Sequence, residues 1–327
     1  GGQLNVSGGA QIGGYLQLQG GAQVSGALTI SSGSVLQIAS GYALYVSSGQ
    51  TSSVTLLNSG VENVISGGIA SGTLISSGGL EIVSSGGIAS NTTISSGGAL
   101  QLLGGARVSG TLSVSAGGNL QIASGYTLNV MSGQTSSVTI LNGGVENVSA
   151  GGVASATVVS SGGRSIVLSA GVVSNATLVG AGVLSVQAGG SAVLTSVSSG
   201  ATLTVSSGAI INGTMVLANG VETITSGGTA TGTLVSSGGS AVVSSGGAIS
   251  NTIISSGGQL NVSGGARISG YLQLQGGAQV SGALTISSGS VLQIASGYTL
   301  KVSSGQTSSV TLLNSGVENV ISGGIAS

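Results

Sequence analysis

The chain has 327 residues, 40% hydrophobic and 3% charged, with net charge -1 and no Pro, Cys, His, Trp, Phe or Asp. Without cysteine there is no disulfide framework or thiolate metal site, and acid–base chemistry falls to five Glu and one Lys. Four scattered cations and six Tyr exclude nucleic-acid binding, and no apolar run nears the roughly 20 residues of a spanning helix, so this segment is not membrane-embedded.

Residues 1–71 recur as 257–327 with four changes, Gln11/Arg267, Gly13/Ser269, Ala43/Thr299 and Tyr45/Lys301. Such a copy suits a stacked array, in which each unit meets the same neighbours. Residues 9–53 are the first of two less regular stretches, 182–214 being the other. Tyr42, Tyr126 and Tyr298 each stand in S-G-Y-[AT]-L and are read as packing at a rung edge, with carbohydrate contact the alternative. At Gly60, Gly144, Gly220 and Gly316 a marker, G-V-E-[NT]-[VI], recurs at spacings of 84, 76 and 96 residues within a 256-residue super-repeat.

From Gly67 onwards, Gly-Gly pairs at 67, 78, 86 and 97 are alternately eleven and eight residues apart, and the rhythm returns at 151 and at 227. The unit is 19 residues, slipping to 18. One column of the aligned units reads Thr73, Thr92, Thr157, Thr233, Thr252, and two residues on the next reads Ile75, Ile94, Val159, Val235, Ile254. A third reads Val64, Val83, Leu102, Val167, Val243, Val262. A period of two with one constantly aliphatic side is that of a strand buried on one face, and the glycines supply the positive φ of tight corners. Strands this short must stack on the next coil at about 4.8 Å. The expectation is an all-β fold, a single-stranded parallel β-helix (β-solenoid) of about 17 rungs with roughly 18–20 residues each. It forms one continuous solenoid over 1–327, and both ends fall inside the repeat, which marks an excerpt of a longer chain.

Glu62 and Glu81 share a column one unit apart, a spacing that would suit a glycosidase pair or a weak cation site. The same column reads Leu100 and Ala241 elsewhere, so no acidic groove is maintained, and the pair is read as solvated surface carboxylates. Calcium-binding nonapeptide repeats need Asp. No enzyme, metal or cofactor is expected. Arg164, diagonal to Glu146, is read as a surface ion pair worth little. With Thr73 and Ile75 inward, the outward columns are Leu74, Thr93, Val158, Leu234, Ile253 and Ile82, Gln101, Ile166, Val242, Asn261. Leu74, Val158, Leu234, Ile253, Ile82, Ile166 and Val242 are the candidates for lateral self-association, because apolar stripes on a chain with little charge favour contact between copies. The Thr73 ladder alternates with an obligatory aliphatic, which makes it internal and argues against an ice-binding face.

The pattern SSGG-x₄₋₅-SSGG-x-A-S-[NG]-T, as in 76–92 and 236–252, resembles the passenger repeats of self-associating autotransporter adhesins of the AIDA type. The resemblance implies an extracellular, right-handed β-helix on the bacterial surface that mediates aggregation, biofilm growth or host adhesion. It also implies a membrane β-barrel translocator beyond this segment and O-heptosylation of passenger serines. Candidate acceptors are the corner residues Ser66, Ser77, Ser85, Ser96, Ser161, Ser237, Ser245 and Ser256; the alternative is that their hydroxyls cap the turns. The expected partner is a second copy of the chain, then host surfaces or glycans. A subunit of an extracellular filament, sheath or surface layer is the alternative function.

Overall fold

The computed structural model describes residues 3–5, 11–12, 14–25, 29–30, 35–39, 41–282, 290–295, 297, 299–302, 307–308, 310–313, 315–320, 322 and 325–326. Tyr298 lies outside them. All regular elements among these residues are β-strands, and no helix is long and apolar enough to cross a membrane. They divide into two compact units, 1–127 and 128–327.

A turn in the first unit has three faces. Val61–Val64 forms the first, Ile69–Ser71 the second and Leu74–Ile75 the third. Leu80–Val83 then begins the next turn directly in register, Val61 beside Leu80 and Val64 beside Val83. The first face stacks Ala43–Val46, Val61–Val64, Leu80–Val83, Ala99–Leu102 and Asn119–Ile122, all parallel. In the second unit it runs from Val145–Val148 through Arg164–Val167, Val183–Val186, Thr202–Val205, Val221–Ile224 and Ser240–Val243 to Gln259–Val262. The stretch 182–214, expected to be less regular, keeps the same three faces: Val183–Val186, Ser191–Val193 and Ser196–Val197 stack on the turn before.

Two corners are the Ser-Gly-Gly turns. At Gly78 the backbone takes φ 77, and a Cβ on Gly79 would lie 2.7 Å from the Leu56 carbonyl oxygen, so this corner needs both glycines. Corner amides bond to the corner above, Gly67 N–H to Gly86 O at 2.8 Å in the first unit and Gly208 N–H to Gly227 O at 2.8 Å in the second. The third corner is a single left-handed residue, seen at Gly72, Asn91, Ala156, Asn175, Leu194, Gly213, Gly232 and Asn251. Most turns advance 19 residues, with 18 at Ala43/Val61 and 20 at Leu100/Leu120. The twentieth residue is absorbed as a bulge opposite Asn91, whose Oδ1 accepts from Thr111 N–H at 3.1 Å.

The interior is filled by the columns that the alternation assigns to it. Val64, Val83, Ile75, Ile94, Val159, Val235 and Ile254 are fully buried, and the Thr73 column is buried beside them. Thr195 and Thr214 extend that column through 182–214. A large-to-small change at Ile75 or Ile94 removes about 2–5 kcal/mol. The described residues form about 14 turns, fewer than the 17 expected from dividing the whole length by the repeat.

Candidate functional site

The outer face begins with alternation. Because Thr73 and Ile75 point inward, Leu74 between them points out and is exposed, at 37%. Val158, Leu234 and Ile253 occupy the same column in the second unit and are half-buried, as are Ile82, Ile166 and Val242 on the first face. Neighbours in the ladder cover their flanks: Leu234 is in register with Met215 below and Ile253 above. Thr177 and Ser196 interrupt the stripe between Val158 and Met215.

A group of exposed apolar residues around one corner was not among the predicted residues. It comprises Leu194, Ile210 and Met215, at 59%, 57% and 46%. Leu194 holds the left-handed corner with φ 54, where Gly or Asn is usual in this chain. Its Cδ2 lies over Gly213, whose notional Cβ would be 2.9 Å away, between Ile210 and Met215 on the next turn. A left-handed backbone is unfavourable for leucine by about 1–2 kcal/mol. The signal was present in the sequence as Leu194 before Thr195, where Gly72 precedes Thr73 and Asn91 precedes Thr92.

All eight candidate serines are exposed at corners: Ser66, Ser77, Ser85, Ser96, Ser161, Ser237, Ser245 and Ser256. Their hydroxyls do not cap the turns, because the corner amides are already satisfied: Ser66 N–H donates to Ser85 O at 3.0 Å, and Gly67 N–H to Gly86 O. Among the described residues these hydroxyls have no hydrogen-bond partner, and Ser66 stands directly below Ser85. Tyr42 and Tyr126 are half-buried at rung edges, with burial raising both phenols, as packing requires.

Four of the five glutamates are not at the surface. Glu62, Glu81, Glu146 and Glu222 are all fully buried, which corrects the solvated reading of the Glu62/Glu81 pair. Val64 is inward, so Glu62 two residues earlier on the same strand is inward too. What makes this tolerable is a set of hydroxyls facing the carboxylate. Ser52 Oγ donates to Glu62 Oε1, and Thr73 Oγ1 to Oε2 at 3.2 Å. In the second unit Ser136 Oγ donates to Glu146 Oε1 at 2.6 Å and Ser165 Oγ to Oε2 at 3.0 Å. Thr233 Oγ1 donates to Glu222 Oε1 at 3.4 Å.

Burial raises all four acids. It carries Glu62 up to about 7 against the opposing pull of Ser52 and Thr73, and Glu222 also to about 7. Glu146 is raised by burial and held back by its serine donors. Glu81 is raised well above the carboxylate range, first by burial and then by the charge of Glu62. Closed inside the solenoid, the Glu62/Glu81 pair has no access to a saccharide. The Arg164–Glu146 ion pair does not form either: Arg164 is exposed beside Val145, while the buried Glu146 is in register with Ser165.

No family model and no curated protein matches the chain. Among solved structures it is similar to the TibC-catalysed, hyper-glycosylated TibA55-350 fragment, with TM-score 0.50 and 29% identity over 89% of this chain and 97% of that one. That fragment is an autotransporter adhesin passenger of the AIDA type. The stacked turns, the Ser-Gly-Gly corners and this likeness agree. The repeats resemble AIDA-type passenger repeats. In this solenoid the exposed features are apolar stripes and serine corners, while the marker acids Glu62, Glu146 and Glu222 belong to its interior.

Proposed function

We propose that this solenoid is a non-enzymatic adhesin segment of the AIDA type displayed outside the bacterial cell, which associates side by side with further copies of itself in aggregation or biofilm growth. The observation that carries the reading is the apolar outer face of a chain that is only 3% charged, densest at Leu194, Ile210 and Met215. Little charge remains outside to hold copies apart, since four of the five Glu are interior. Leu194 supports the reading further, because a strained, exposed leucine contributes nothing to the fold that Asn would not.

Sedimentation velocity over a concentration series, at low and high salt, tests it. Oligomers that grow with concentration and persist in salt are expected. Leu74→Lys with Leu234→Lys should weaken them without unfolding the chain. Leu194→Asn should weaken them while making the protein about 1 kcal/mol more stable. An elongated monomer at every concentration would leave adhesion to something other than itself.

The similar fragment is hyper-glycosylated. On that likeness the unpartnered corner serines are proposed as O-glycan acceptors in this chain as well. Intact mass of natively expressed protein should show hexose- or heptose-sized increments; an unmodified mass would remove the proposal.

A further inference from the structure

Glu62 and Glu81 stand on adjacent turns, residue beside residue, both with no exposed surface. Adjacent strands are about 4.8 Å apart, so the two carboxyl groups are nearest neighbours along the column. Their donor sets differ. Both oxygens of Glu62 accept from hydroxyls, Ser52 and Thr73. Neither oxygen of Glu81 has a donor, and Thr92 Oγ1 on the facing strand is also unpartnered. In register with the pair on either side are Leu44 and Leu100, which neither titrate nor carry charge. The charged or titratable groups on the packed strands point away: Tyr45 is 65% exposed and Arg107 is exposed. Two ionised carboxylates cannot lie together in such a place without a cation between them, and no cationic side chain faces it.

We propose that Glu62 and Glu81 form a proton-sharing carboxyl pair, in which Glu81 keeps its proton and donates it to Glu62, so that folding of this part of the solenoid takes up a proton from solvent. The donor pattern assigns the sites: a carboxyl that accepts two hydroxyl hydrogen bonds holds the charge better than one that accepts none. The titration itself belongs to the pair.

The direction of the pH effect follows. In the unfolded chain both groups titrate near 4.5, whereas in the folded chain burial raises both, Glu62 to about 7 and Glu81 well above the carboxylate range. The stabilising contribution is whole below 4.5 and is lost as pH rises through 7, the reverse of ordinary acid denaturation.

The test uses the full chain. Hydrogen exchange at the amides of Val61–Val64 and Leu80–Val83, corrected for the intrinsic rate, is followed from about pH 5 to 8, with and without EDTA. Protection should fall by up to about tenfold per pH unit, for each proton held, as pH rises from about 5. It should be insensitive to EDTA and become flat in Glu81→Gln, whose amide replaces the protonated hydroxyl as donor. Protection that rises with pH would overturn the proposal, as would protection that EDTA abolishes, since a bound cation would then hold the pair. Should Glu81→Gln fail to fold, the infrared spectrum of the unaltered chain decides. A protonated-carboxyl band near neutral pH that disappears in alkali and survives Glu146→Gln with Glu222→Gln supports the pair, and its absence overturns it.

Discussion

The two units place the same acid in the same column and satisfy it differently. Glu62 in the first unit and Glu146 in the second each follow a serine ten residues earlier and accept its hydroxyl. One turn further on they diverge: Glu146 meets Ser165, a donor at 3.0 Å, whereas Glu62 meets Glu81, a second acceptor. A solenoid interior therefore accommodates a carboxylate when the next turn supplies a hydroxyl. Where the next turn supplies another carboxylate, a proton takes the place of the missing donor. One residue in the following turn decides between a hydrogen-bonded acid and a proton-linked pair.

Exchanging that residue breaks the comparison. The largest effect is expected from Ser165→Glu, which removes a donor from Glu146 and stacks a second acid on it. It should destabilise the chain by about 3–5 kcal/mol at alkaline pH, and by less near pH 5, where the new pair holds its proton. Denaturant unfolding at the two pH values checks this, and an equal loss at both would contradict the account. A smaller change of opposite sign is expected from Glu81→Leu, which continues the leucine already present at Leu100 in the next turn. Replacing the buried acid by a hydrophobe should stabilise by about 1–4 kcal/mol at alkaline pH and flatten the pH dependence in the first unit. A destabilised Glu81→Leu at all pH values would show that the acid is needed for packing alone.

The interior position of the marker glutamates was legible but overridden. Their column also contains Leu100, Leu184, Leu203 and Leu260, all buried, and strict alternation from Val64 places Glu62 inside. Burying a carboxylate without partners is costly, a cost that a surface position avoids. That cost is real, and it falls only because hydroxyls lie opposite. The misreading of Arg164 has the same root: consecutive strand residues face opposite sides, so a residue diagonal to Glu146 in the alignment is on the other side of the wall. The outward columns were legible for the same reason, since the alternation that buries Ile75 exposes Leu74.

The sequence by itself determined the parallel solenoid, its turn of 18–20 residues and the sides that each strand presents. These are periodic properties: a column is compared only with itself one turn away, and glycine punctuation marks where the chain bends. The tertiary structure alone decided which residues meet across the interior and how the third corner is shaped. Ser52 and Thr73 reach Glu62 from ten residues before and eleven after it, through corners whose angles no alternation rule contains. Leu194 became the centre of the exposed patch only because a left-handed corner lays its side chain over Gly213. Contacts along a column follow from the repeat, whereas contacts across the solenoid depend on how the corners close it.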